Sequence, residues 1–228
     1  MERIRAKYPD VLIQACASGG GRVEFGAMKY FNEVWTSDNT EALSRARIQY
    51  GTSLFYPAVV MGSHVSATPN HQTGNITPIK FRFDMACAGR LGMELQPKHM
   101  TEEERAEARR AIADYKEYRD IVMQGDLYRI GTPYDDTGYY GVMYVSKDKK
   151  KAVLFTYCTL YQSRTLVPKY RLYGLDAQTR YKIREQNVDK KRFWFDGGTF
   201  TGEYLANAGI NPNLSKIYDS AVFVLEAQ

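Results

Sequence analysis

The sequence predicts two fold classes in one chain: an α/β domain of parallel βα units over residues 1–125 and an antiparallel all-β domain over residues 126–228. Three observations predict them. Across the first hundred residues, short apolar runs alternate with helical patterns. A long amphipathic helix then runs from Thr101 to Gly125. Beyond Gly125 the texture changes to β-branched and aromatic runs separated by Gly, Asp and Lys turns.

Taken in order, Val11-Leu12-Ile13 reads as a buried strand ending at a glycine loop, Phe25 to Asn32 as a short helix and Val34-Trp35 as a second strand. Glu41 to Tyr50 reads as a helix entered from the cap-rich Ser37-Asp38-Asn39-Thr40 and closed by Gly51. Ser53 to Met61 reads as a third strand carrying Pro57, and Ile79 to Ala86 as a fourth apolar segment leading into Gly89 and Gly92. The next helix is the clearest element: Thr101 is its N-cap and Glu104 closes a capping box. Ala108, Ala111, Ile112, Tyr115, Tyr118 and Val122 share one face. In the β domain, GYYGVMYV and AVLFTYCTLYQ flank a lysine-rich turn, KYRLYGL and TRYKIRE flank another, and SAVFVL closes the chain. The Lys147 to Lys151 cluster is a solvated hairpin tip, and the many tyrosines are packing residues.

With 228 residues, 44% of them hydrophobic, the chain can bury a substantial core. No apolar run approaches the roughly 20 residues of a membrane span, and the first residues lead into a helical pattern instead of a signal peptide's apolar core. The net charge of +5 is not gathered into a basic stripe interleaved with aromatics, so neither nucleic acid nor membrane is expected as a partner. Cys16, Cys87 and Cys158 are odd in number and scattered. Reduced thiols and a cytoplasmic setting are the expectation, with no metal and no cofactor.

Chemistry concentrates between Cys16 and Gly74, where CASGGGR, WTSDNT, YPAVVMGSHVS and PNHQTG follow at strand-and-helix intervals. Asp38 falls just past a short strand and before a helix, so its side chain belongs at the C-terminal mouth of a βα unit, the face that holds catalytic groups in barrels. The competing reading makes Asp38 or a neighbour a helix cap. Gly19-Gly20-Gly21 allows close approach of backbone to a ligand, yet a strand-to-helix turn wants glycine anyway. Cys16 alone reads as a small core residue, and His64 and His71 as isolated structural histidines.

Together these segments resemble glycoside hydrolase family 36, the α-galactosidase family. The likeness rests on CASGGGR, WTSDNT with Arg47-Ile48-Gln49 downstream, YPAVVMGSH and PNHQTG, and continues more loosely through YKEYRDIVMQGDLYRI and the β-rich tail. The resemblance implies the C-terminal half of a (β/α)8 TIM-type barrel followed by an antiparallel β-sandwich. It also implies retaining hydrolysis of terminal α-galactosides in oligosaccharides, with Asp38 as general acid and base, and Cys16 and Gly19 touching hydroxyls of the bound galactose. Four positions depart from the family's pattern: Gln14 stands where glutamate is frequent, Glu24 and Glu41 replace aspartates, and Asn75 replaces an arginine.

The family's nucleophile lies in a Lys-Trp-Asp motif that these 228 residues do not contain. The resemblance therefore implies a fragment that lacks the nucleophile and is inactive alone. Its partners would be the missing upstream barrel half and an N-terminal β domain, in a full-length enzyme compatible with a homo-oligomer. A half barrel would also expose strand edges and favour association. Related N-acetylgalactosaminidase or galactosyltransferase chemistry fits the same motifs, and a noncatalytic galactoside-binding module is the alternative of a different class.

Overall fold

The computed structural model describes residues 1–162 and 166–228. After an exposed helix α1 (Glu2–Lys7) come four parallel strands, β1 (Gln14–Ala15), β2 (Glu33–Trp35), β3 (Met61–Ser66) and β4 (Arg90–Glu94), paired in the order β1-β2-β3-β4. The connections carry helices α2 (Phe25–Met28), α3 (Ala42–Thr52) and α4 (Ile79–Ala86). Sequential parallel strands with helical crossovers are what a segment of a (β/α)8 barrel requires.

Helix α5 (Glu102–Gln124) follows, with the Thr101–Glu104 capping box formed and Gly125 at its C-cap. The rest of the chain supplies β5 (Asp126–Gly131), β6 (Tyr139–Val145), β7 (Lys151–Cys158), β8 (Arg180–Gln186), β9 (Thr199–Thr201), the short helix α6 (Gly202–Asn207) and β10 (Asp219–Ala227). They form one antiparallel sheet in the order β5-β6-β7-β10-β8-β9. Its outer face is covered by α6 and by extended segments joined at the Tyr170–Ile210 bridge, which bury Tyr170, Leu172, Leu205 and Leu214.

Three expectations are corrected. Val11 and Leu12 are exposed, the latter by 73%, and the strand is Gln14–Ala15, where Ala15 finds Val34 as its partner on β2. The third strand is Met61–Ser66; Pro57 caps a single 3₁₀ turn instead. Ile79–Ala86 is a helix, and the fourth strand lies at Arg90–Glu94. Lys80, Arg82 and Asp84 alternate with Phe81, Phe83 and Met85, a period of two that reads as a strand, and Phe81 to Ala86 are all buried, two charged side chains among them.

That burial arises because α4 and α5 lie between the two sheets. One apolar cluster joins Ala46, Val65 and Phe81 to Tyr118, Tyr140, Phe155 and Val222. The tyrosines of this seam aim hydroxyls at helix-end carbonyls: Tyr157 donates to Asp84 (2.9 Å), Tyr144 to Ala88 (2.9 Å) and Tyr115 to Gly89 (2.9 Å). Each bond satisfies a carbonyl that would otherwise be buried without a donor.

Candidate active site at the mouth of the parallel sheet

The C-terminal ends of β1, β2 and β3 bring three loops together, and the second of them carries Asp38. Its backbone is fixed by local turns: the Ser37 hydroxyl accepts from the Asn39 amide (3.1 Å) and the Asn39 side chain accepts from the Glu41 amide (3.1 Å). The cap of α3 is Glu41. Its carboxylate takes the amides of Leu43 (2.9 Å) and Ser44 (2.8 Å) and the hydroxyl of Thr77 (3.4 Å). The helix-cap reading of Asp38 is thereby overturned. Asp38 is exposed, and among the described residues its carboxylate engages no donor.

Gly19 packs directly beneath this loop. A Cβ added there would lie 2.8 Å from the Asp38 amide nitrogen and 2.9 Å from the Ser37 Cα, and the residue holds φ at +74°. Close approach and positive φ both exclude any other residue. Cys16 is exposed and lines an open groove of about 690 Å³ with Ala15, Arg22, Glu24, Ala27 and Tyr30. The structure thus joins Gly19 to Asp38, while Cys16 faces a groove whose lining does not include Asp38.

The third loop braces the second from the opposite side. Asn70 is buried, with its side-chain nitrogen toward the hydroxyls of Ser66 (3.4 Å) and Thr40 (3.5 Å), and the Gln72 side-chain Oε1 accepts from the Thr40 backbone amide (3.3 Å). His71 is exposed. His64 lies on Trp35 with ring centroids 4.4 Å apart, over a glycine, Gly92, whose side chain would otherwise collide with the imidazole. Burial lowers the His64 pKa, opposed by Glu94 and Glu33 and assisted by Arg45. Gln14 donates to Glu33 (2.5 Å); a glutamate at position 14 would set two carboxylates against each other. Asn75 accepts from the Asn70 amide (2.9 Å) through its backbone, so the loop closes without the arginine.

Sequence reasoning missed Arg45. It is 1% exposed and lies with Ala42, Ala46 and Gln49 on the buried face of α3. A charged residue at i+3 on a face that also carries Ala42, Ala46 and Gln49 at i, i+4 and i+7 was the available signal. Burial lowers its pKa to about 10, against the opposing pull of Glu94 and Asp38, so it is a cation at neutral pH. Gln49, quoted in the downstream motif, donates to the Met85 carbonyl (2.9 Å) and accepts from Ser63 (2.6 Å), tying α3 to α4 and β3. Among the described residues no group of three or more metal-ligating side chains gathers, and no helix is long and apolar enough to cross a membrane.

The profile of the Melibiase family matches residues 1–125, and that of the glycosyl hydrolase family 36 C-terminal domain matches residues 139–225. The chain belongs to glycoside hydrolase family 36. Among curated relatives, the probable alpha-galactosidase C of Aspergillus flavus is 39% identical over 229 residues, matching 100% of this chain and 29% of its own length. Alpha-galactosidase 2 of Hypocrea jecorina is also 39% identical, with 29% of its length matched. This family 36 chain therefore spans under a third of the curated relatives it matches. Among solved structures, the galactosidase domain of alpha-galactosidase-sucrose kinase AgaSK superposes with a TM-score of 0.90 at 36% identity, over 100% of this chain and 30% of that one. A variant of AgaA from Geobacillus stearothermophilus, solved with raffinose, gives 0.91 at 35% identity over the same shares.

Proposed function

We propose that this chain carries the acid/base half of a retaining α-galactosidase acting on terminal α-galactosides of oligosaccharides. The observation that carries the reading is the exposed Asp38 carboxylate, without a donor among the described residues at the mouth of the parallel sheet while Glu41 caps the helix in its place. The curated relatives that match the whole chain are named as alpha-galactosidases, which supports galactose as the sugar recognised. Cys16 and Gly19 would meet hydroxyls of that sugar.

A retaining site needs two carboxyl groups about 5 to 5.5 Å apart. Asp38 would protonate the glycosidic oxygen as a second carboxylate attacks the anomeric carbon, expelling the aglycone as an alcohol and leaving a glycosyl ester. Asp38, now ionised, would take a proton from water as that water attacks the same carbon, releasing galactose with its configuration kept and regenerating the acid. The attacking carboxylate is proposed to come from chain outside these 228 residues, in the barrel half that would complete the four strands.

The test is hydrolysis of raffinose by two proteins: this chain alone, and this chain preceded by the N-terminal portion of the AgaSK galactosidase domain. The expected result is turnover with retained configuration only in the second, lost on Asp38→Asn. Turnover by the 228 residues alone, or full activity of Asp38→Asn, would refute the assignment.

A further inference from the structure

We propose that Arg45 is a positioning residue for Asp38, gripping the loop through the peptide carbonyls on either side of the acid so that its carboxylate meets the leaving oxygen. The inference rests on the acid/base reading given above and adds to it a residue that touches neither substrate nor the Asp38 side chain.

The guanidinium is used as a three-way fork. Its Nε donates to the Asn39 carbonyl (2.8 Å), one terminal nitrogen to the Ser37 carbonyl (2.8 Å) and the other to the Thr36 hydroxyl (2.5 Å), with the Gly62 carbonyl at 3.4 Å. Residues 36, 37 and 39 are thereby held by one rigid plane, and the single residue of the stretch left out is Asp38. The guanidinium carbon lies 4.8 Å from the Trp35 ring centroid, and Trp35 also packs against His64. From the other side, Gly19 presses against the Asp38 amide. The Asp38 backbone is clamped between these two contacts and only its side chain is free.

Among the described residues no carboxylate pairs with Arg45. A cation almost wholly removed from water has been spent on neutral carbonyls and a ring face, an arrangement that does little for stability compared with an apolar side chain of similar volume. It does give directional donors at fixed angles, which a lysine ammonium cannot supply because it is a point charge on a flexible stem. Misplacing a reacting group by about 1 Å costs on the order of 100-fold in rate.

This role makes a prediction that a merely structural one does not. Departure of a sugar alkoxide needs the proton from Asp38, whereas a dinitrophenolate leaves without help. The enzyme for the test is this chain preceded by the N-terminal portion of the AgaSK galactosidase domain, with kcat/KM measured on raffinose and on dinitrophenyl α-galactoside. Arg45→Met is expected to lower kcat/KM about 100-fold on raffinose and less than about 5-fold on the dinitrophenyl substrate, and Arg45→Lys to recover only part of the loss. Thr36→Val, which removes one gripped hydroxyl and keeps the fold, carries the same split in milder form and decides the matter where Arg45→Met does not fold. Equal slowing on both substrates, or full recovery by lysine, would overturn the positioning role while leaving Asp38 in place. Absence of any activity in the unsubstituted enzyme would instead overturn the galactosidase reading, and this inference with it.

Discussion

Two aspartates divide the molecule into a region built to hold charge and a region built to offer it. Asp84, on α4 in the seam between the sheets, is 2% exposed; Lys80 (2.7 Å) and the Ser220 hydroxyl (2.7 Å) reach one oxygen and the Asn187 amide (3.1 Å) the other. Asp38, past β2, has a backbone braced from both sides and a side chain that engages nothing among the described residues. A buried carboxylate without donors is costly, so the seam satisfies Asp84 on both oxygens. An exposed one can wait for a substrate at little cost to folding. At the mouth, the structure fixes the main chain around the acid and leaves the acid itself unbonded among the described residues.

Substitutions can break this contrast. In the assembled enzyme, Asp38→Asn should lower kcat/KM on raffinose by roughly 1,000-fold, while the thermal midpoint of this chain stays within about the shift expected of a surface change, 0.5 kcal/mol or less. Asp84→Ala should do the opposite to the chain itself, costing about 3 kcal/mol in urea unfolding, because Lys80, Ser220 and Asn187 are left facing an empty site. Comparable destabilisation by the two variants would erase the distinction drawn here.

Smaller changes sharpen it. Glu41→Ala removes the cap of α3 at the edge of the Asp38 loop and should cost about 1 to 2 kcal/mol; Thr101→Ala, which removes the exposed cap of α5, should cost about 1 kcal/mol. Urea midpoints measure both, and only the first should also slow raffinose hydrolysis. The gentlest effect is in pH. His64 has its pKa lowered in the folded chain, chiefly by burial, so the unfolded state binds the extra proton more readily. Stability should therefore rise with pH up to and through the ordinary histidine value of about 6.5 and fall below it. Thermal melts of His64→Gln across that range should show a flatter profile; an unchanged slope would mean that another group sets it.

The sequence revealed these regions unequally. The long helix was legible to its caps because Thr101, Glu104 and Gly125 are local signals, and the β6–β7 hairpin was legible from its lysine tip. Helix α4 was not, since Lys80, Arg82 and Asp84 alternate with apolar residues as in a strand, and burial takes in two of the three charges. The candidate site residues Cys16, Gly19 and Asp38 came from motif resemblance. What no motif conveyed was their relation: that Gly19 lies under the Asp38 amide, that Glu41 takes the capping role and frees Asp38, and that Arg45 grips the carbonyls around it. The first contact joins residues across the parallel pairing of β1 and β2, which a linear pattern does not encode; the other two lie within one loop and its helix and depend on which side chains the turn brings inward.

The central claim, that Asp38 is the proton-transferring partner of a carboxylate nucleophile, is tested most directly by azide. In the assembled enzyme, Asp38→Ala turning over dinitrophenyl α-galactoside should be accelerated by azide, which needs no base to attack the glycosyl ester, and the product should be α-galactosyl azide. Formation of the β-azide would identify Asp38 as the nucleophile instead, and no response to azide would contradict its role in proton transfer.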